Sequence, residues 1–194
     1  MNKRLIFSIV FAMATTCGFA QTSSGNMMIG GGLRIFSDSY QNGSSASSTT
    51  FSPGFGYFIS DNLAVGTTLT ISGARYGAGQ NRTMMNSFAL GPFARYYIFT
   101  SNQNFGFFGQ AQLTIGAGRT DHATDGVFRN NSVSFSISPG AAYFFNEHWA
   151  LELFIVGFEF VSTDPNTEND NDKRNTVELG LNSLTPGIGF RYHF

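Results

Sequence analysis

Large apolar residues alternate with small or polar ones along most of the chain. From Phe105, one face carries Phe105, Phe107, Ala111, Leu113 and Ile115, and the other Phe108, Gln110, Gln112 and Thr114. From Leu63, the faces are Leu63, Val65, Leu69 and Ile71 against Ala64, Gly66, Thr68, Thr70 and Ser72. Val133, Phe135 and Ile137 alternate with Ser134, Ser136 and Ser138 in the same way. A period of two residues predicts β-strands with two chemically distinct faces.

One strand element recurs four times. Its copies are Ser52-Pro53-Gly54-Phe55-Gly56-Tyr57-Phe58, Gly91-Pro92-Phe93-Ala94-Arg95-Tyr96-Tyr97, Ser138-Pro139-Gly140-Ala141-Ala142-Tyr143-Phe144 and Thr185-Pro186-Gly187-Ile188-Gly189-Phe190-Arg191. In each, proline precedes an aromatic residue by four positions, and four of the five prolines are used this way. The first three copies run into short polar turns at 60–62, 100–104 and 146–148, each followed by another alternating strand. Longer polar segments at 38–48, 76–83, 121–131 and 164–174 separate those strands from the next copy. With a first strand over 26–36, the pattern predicts eight antiparallel strands, short turns at one end and long loops at the other. That is the arrangement of an up-and-down transmembrane β-barrel.

Composition decides between a soluble barrel and a membrane one. Charged residues make up 12%, against about 25% in ordinary soluble domains. A polar face meeting water would carry lysine and glutamate; here it is mostly glycine, serine, threonine and glutamine, which suits the filled interior of a narrow barrel. The apolar face then meets lipid. Residues 1–20 read as a secretory signal peptide, with Lys3 and Arg4, an apolar core from Leu5 to Ala14, and Gly18-Phe19-Ala20 before Gln21. The expected organisation is signal peptide 1–20 and one barrel domain over 21–194. Cleavage after Ala20 removes Cys17, the single cysteine, so no disulfide is expected.

Tyr57, Tyr96, Tyr143, Trp149 and Tyr192 fall on the apolar face near the short-turn end, where an interfacial aromatic girdle is expected. Pro53, Pro92, Pro139 and Pro186 share that face and cannot donate to a ladder, so bulges or weakened pairing are expected there. Alternation places Arg34, Arg95, Glu152, Arg191 and His193 in the interior. Buried charges must pair, which predicts a salt-bridged plug; a narrow polar path or gate is the competing reading.

Together, the leader, the Ala20-Gln21 junction, the repeated Pro-Gly-x-x-Tyr-Phe hairpins and the terminal Phe194 resemble the small outer-membrane β-barrel family of Bacteroidetes-type bacteria, similar in architecture to OmpX and the OmpA membrane domain. The resemblance implies a location in the outer membrane with both chain ends in the periplasm. It also implies that the strand carrying Phe190, Tyr192 and Phe194 is the signal read by the barrel-assembly machinery. Expected partners are outer-membrane lipid, that machinery, and a surface ligand at the outer loops.

No cofactor, metal or nucleic acid is expected. His122, His148 and His193 lack the His-x-Ser pattern of lipid A deacylases, so catalysis is not expected. The acidic run Asp164 to Asp172 places oxygen ligands at alternate positions but has Asn169 and Asn175 where an EF-hand needs glycine and glutamate. A solvated loop is the expectation there, with weak divalent binding as the alternative. The functional expectation is a structural or surface-interaction role; a narrow pore is the first alternative and a lipid-modifying enzyme the second.

Overall fold

The computed structural model describes residues 21–39, 44–77, 82–101, 103–123, 126–165, 167, 173–179 and 187–194. The expected signal peptide, Pro186 and most of the acidic run lie outside them. All regular structure in these residues is strand: β1 (Met27–Ser39), β2 (Ser45–Ser60), β3 (Leu63–Gly77), β4 (Thr83–Phe99), β5 (Phe105–His122), β6 (Gly126–Phe144), β7 (Trp149–Phe154), β8 (Phe158–Asp164), β9 (Arg174–Leu179) and β10 (Gly187–His193). Every pairing is antiparallel. β1 to β6 pair in sequence, β6 pairs with β7, β7 with β10 and β10 with β1, so the order returns on itself. β8 continues along β6 beyond β7, and β9 pairs with β8.

Two expectations need correction. Strand enters the segments read as long loops from both sides, and covers most of 121–131. β1 runs to Ser39, β3 to Gly77 and β5 to His122, and their partners resume at Ser45, Thr83 and Gly126. Serine, threonine and asparagine there look like loop chemistry, but once two strands are in register the ladder satisfies their backbone groups wherever the hairpin extends. The eight expected strands are also found as ten segments. The pairs Gly140↔Phe154 and Ile137↔Phe158 differ in register by one residue, which inserts a bulge at 155–157 and divides β7 from β8.

The prolines account for these irregularities. Opposite the bulge lies Pro139, whose carbonyl accepts from Ile155 N–H at 3.1 Å, while Gly157 N–H donates to the Ile137 carbonyl at 3.0 Å. Pro53 and Pro92 keep the register but interrupt pairing on one side: β2–β3 pairs stop at Phe51 and resume at Gly54, and β4–β5 pairs stop at Leu90 and resume at Phe93. A residue with no N–H can serve one neighbouring strand through its carbonyl and leave the other rung unmade.

Period-two alternation sorts the side chains as the pattern demands. Ile29, Leu33, Phe55, Leu69, Phe88, Leu113, Val133 and Phe190 point outward and are exposed, whereas Met28, Phe58, Ala64, Tyr97, Phe108 and Phe144 are buried within. The described N-terminal residues 21–26 cross the short-turn end. Gly25 N–H donates to the Phe58 carbonyl at 2.9 Å, and Thr22 Oγ1 donates to Asn62 Oδ1 at 2.6 Å. Asn62 takes a positive φ of 66° in the tight β2–β3 turn, which asparagine tolerates better than most residues.

Candidate functional site

The interior is layered. At the short-turn end, the second aromatic of the first three repeated elements points inward (Phe58, Tyr97 and Phe144), and His193, two residues past the fourth, joins them. Ring centroids lie 6.0 Å apart for Phe58–Tyr97, 6.5 Å for Tyr97–Phe144, 5.2 Å for Phe144–His193 and 5.7 Å for His193–Phe58. The four rings form a closed cycle across the interior, and all four residues are fully buried or nearly so. Phe99 stacks on Tyr97 from the turn side.

A charged layer rests on this ring. Glu152 accepts from Arg95 Nη1 at 2.6 Å and from Arg191 Nε at 2.8 Å, and Tyr97 O–H donates to the same carboxylate at 3.2 Å. Arg95 Nε donates to Gln110 Oε1 at 2.8 Å, and its guanidinium lies 4.1 Å from the centroid of the Phe108 ring. Gln110 then donates to Gln112 at 2.7 Å and Gln112 to Thr114 at 3.2 Å, continuing the chain of hydrogen bonds. Small ladder neighbours make room for the carboxylate: Glu152 pairs with Ala142 on β6 and Gly189 on β10. Glu152 is 1% exposed and Arg95 3%, so neither charge would be tolerated without the other.

Beyond the charged layer a cavity of about 110 Å³ opens among Thr68, Thr70, Gln112, Ser138 and Arg191. Farther along the interior, Glu159 and Glu178 are ladder partners, and Arg34 interacts electrostatically with Glu159.

Of the residues expected in the interior charge network, Arg95, Glu152 and Arg191 meet. Arg34 does not: Gly30 is the ladder partner of Arg191, and Arg34 lies four residues farther along, roughly 14 Å at strand rise. Its Nε has no hydrogen-bond partner among the described residues. His193 is interior but belongs to the aromatic ring; its Nδ1 is 2.9 Å from the Gln21 carbonyl. Sequence reasoning missed Tyr97, Phe58 and Phe144 as interior residues. The signal was present, since each outward tyrosine of the repeat is followed directly by a residue that parity must turn inward.

On the outer face Tyr57, Tyr96, Tyr143 and Trp149 are exposed near the short-turn end. Tyr192 packs between Trp149 and Phe194, with centroids at 5.0 and 5.8 Å. Phe190 and Phe194 are also exposed. His122 Nδ1 is 3.0 Å from Thr83 Oγ1, and His148 Nδ1 is 2.8 Å from the His193 carbonyl. Among the described residues these ring nitrogens meet a hydroxyl and backbone carbonyls.

Comparison with curated protein sequences finds no match. Among solved structures, the chain is similar to Neisserial surface protein A at 16% identity, covering 88% of this chain and 98% of that one with a TM-score of 0.51. OprG of Pseudomonas aeruginosa aligns at 17% identity over 90% and 98% with a TM-score of 0.48. The N-terminal β-barrel domain of OprF from Pseudomonas aeruginosa aligns at 16% over 88% and 98% with a TM-score of 0.46. The first of these supports the fold alone. Residues 5–183 match the outer membrane protein β-barrel domain family, and the chain belongs to that family.

Proposed function

We propose that the chain is an integral outer-membrane barrel of eight staves with a non-conducting interior, serving a structural or surface-binding role. In this reading β7 with β8 and β9 with β10 each make one stave, the domain spans 21–194 after removal of residues 1–20, and both ends face the periplasm. The observation that carries it is the ring of Phe58, Tyr97, Phe144 and His193, capped by the Glu152 ion pairs. An eight-stranded barrel has an interior just wide enough for side chains to fill, and here two successive layers fill it. The exposed apolar outer wall and the tyrosine–tryptophan belt support burial in lipid. The likeness to Bacteroidetes-type members rests on the repeated Pro-Gly-x-x-Tyr-Phe element.

A narrow pore is the second reading, favoured by the polar cavity on the loop side of Arg95 and Arg191. Single-channel recording in planar bilayers separates the two. The closed reading expects a silent wild type and openings in a Phe58→Ala/Phe144→Ala variant whose heat-dependent gel mobility shows a folded barrel. Persistent wild-type openings that vanish on changing Arg95 or Glu152 would replace closure with a gated pore.

A further inference from the structure

We propose that the outward wall of β5 and β6, at Arg119 and Arg129, is a binding site for a phosphate group of an outer-leaflet lipid. Arg119 and Arg129 are direct ladder partners. Both are exposed, and parity puts them on the same outward face as Ile115 and Val133. Like charges directly opposed across a ladder destabilise the pair, so the arrangement is unfavourable until an anion lies between the two guanidinium groups.

Among the described residues Asp121 offsets only part of this charge: its Oδ2 is 3.7 Å from Arg119 Nη2, an ion pair too long for a hydrogen bond, with both side chains more than half exposed. Arg75 adds a third positive charge on the same face: it is the ladder partner of Met84, which pairs with Asp121. Asn86, the partner of Arg119 on β4, places an amide beside the arginine pair. Two or three guanidinium groups and an amide on one convex face match the several oxygens of a phosphate.

Depth identifies where that phosphate would come from. The apolar outward row on β5 runs from Phe105 to Ile115, ten residue steps. At ~3.4 Å per residue and a tilt of ~45° this spans about 24 Å of membrane normal, close to the ~25 Å apolar band of such barrels. Arg119 lies four steps farther along the strand, about 10 Å above the hydrocarbon edge by the same geometry. Guanidinium groups on long side chains reach back down from there to headgroup level. The site therefore rests on the outer-membrane reading, with β5–β6 rising from the periplasmic turns, but does not depend on whether the interior conducts.

The test uses the full mature chain refolded in maltoside micelles, which carry no phosphate. Binding of diphosphorylated lipid A and of the same lipid dephosphorylated is followed by native mass spectrometry. The proposal expects at least ten-fold weaker retention on dephosphorylation and a comparable loss in Arg119→Gln/Arg129→Gln. It also expects a reversal of sign in unfolding: the double variant withstands more urea than wild type in plain maltoside, and less once lipid A is added. Equal retention of the dephosphorylated lipid, or an unchanged double variant, overturns the site. Displacement of lipid A by millimolar inorganic phosphate would show a simple anion site and overturn the lipid assignment. Conductance plays no part in these measurements, so a pore would sink the closed reading without touching this one.

Discussion

The two ends of the molecule are built on different principles. At the short-turn end β10 is hydrogen-bonded to both β1 and β7, and the interior is buried and aromatic, backed by a buried ion-pair layer. Toward the loop end the wall is interrupted at 155–157, the interior partners are Glu159, Glu178 and Arg34, and two arginines oppose each other outside. The first end spends its side chains on one another, while the second leaves charges incompletely matched. Stability should therefore concentrate near the short turns, and tolerance to change near the loops.

The largest expected contrast lies in the interior carboxylates. Glu152→Ala strands two guanidinium groups in a site where Arg95 is 3% and Arg191 11% exposed. Removing one member of a buried ionic cluster costs about 3–5 kcal/mol. Glu178, exposed and facing a like charge, has no such obligation, and Glu178→Ala should change stability by less than about 0.5 kcal/mol. Urea unfolding in micelles, followed by tryptophan fluorescence at Trp149, measures both. Equal losses would mean that the buried layer is not where the barrel is held.

Next comes the lipid-facing wall. Ala111 faces outward one residue from the centre of the Phe105–Ile115 row of β5, whereas Val127 lies beyond that row beside Asp121. A charge near the bilayer midplane costs about 2–4 kcal/mol and near the interface about 0–1 kcal/mol. Ala111→Arg should therefore cost several times more than Val127→Arg when both are folded into vesicles and unfolded with urea. Similar costs would move the membrane band away from the Phe105–Ile115 row and, with it, the depth assigned to Arg119.

How much of this was legible in the sequence follows from what parity can and cannot specify. Which face a residue takes is fixed by a period of two, so Arg95, Glu152 and Arg191 could be placed inside and Tyr57 and Tyr96 outside. Which interior residues meet depends on the stagger between strands, and parity says nothing about stagger. Arg34 illustrates the limit: it is on the right face of the right neighbouring strand, yet the Gly30↔Arg191 register leaves it one layer away. The loop boundaries failed for a related reason. Serine- and asparagine-rich hairpins keep pairing past the apolar outward rows because the ladder needs only backbone groups, as Ala117↔Asn131 and Gly118↔Asn130 show. Three members of the aromatic ring, by contrast, were written into the tandem aromatics Tyr57-Phe58, Tyr96-Tyr97 and Tyr143-Phe144, while His193 lies past the fourth repeat.

The smallest contrast concerns glycine, and it tests whether the two faces differ in packing as well as chemistry. Gly66 faces the interior between β2 and β4, paired with Gly56 and Phe93. A methyl group there would meet the Phe55 carbonyl and Gly56 Cα, backbone atoms that cannot withdraw without moving the ladder, as well as the tip of the Phe93 ring. Gly109 faces outward between Tyr96 and Pro139, and a methyl group on it would meet nothing within 4 Å. Overpacking a filled core costs about 1–3 kcal/mol, whereas an alanine in open space slightly stabilises by restricting the unfolded chain. Gly66→Ala should thus lower the urea midpoint while Gly109→Ala leaves it unchanged or raises it. If Gly66→Ala were neutral, the short-turn end would hold slack between β2 and β4, and a ring of four aromatics could not seal an interior that loose.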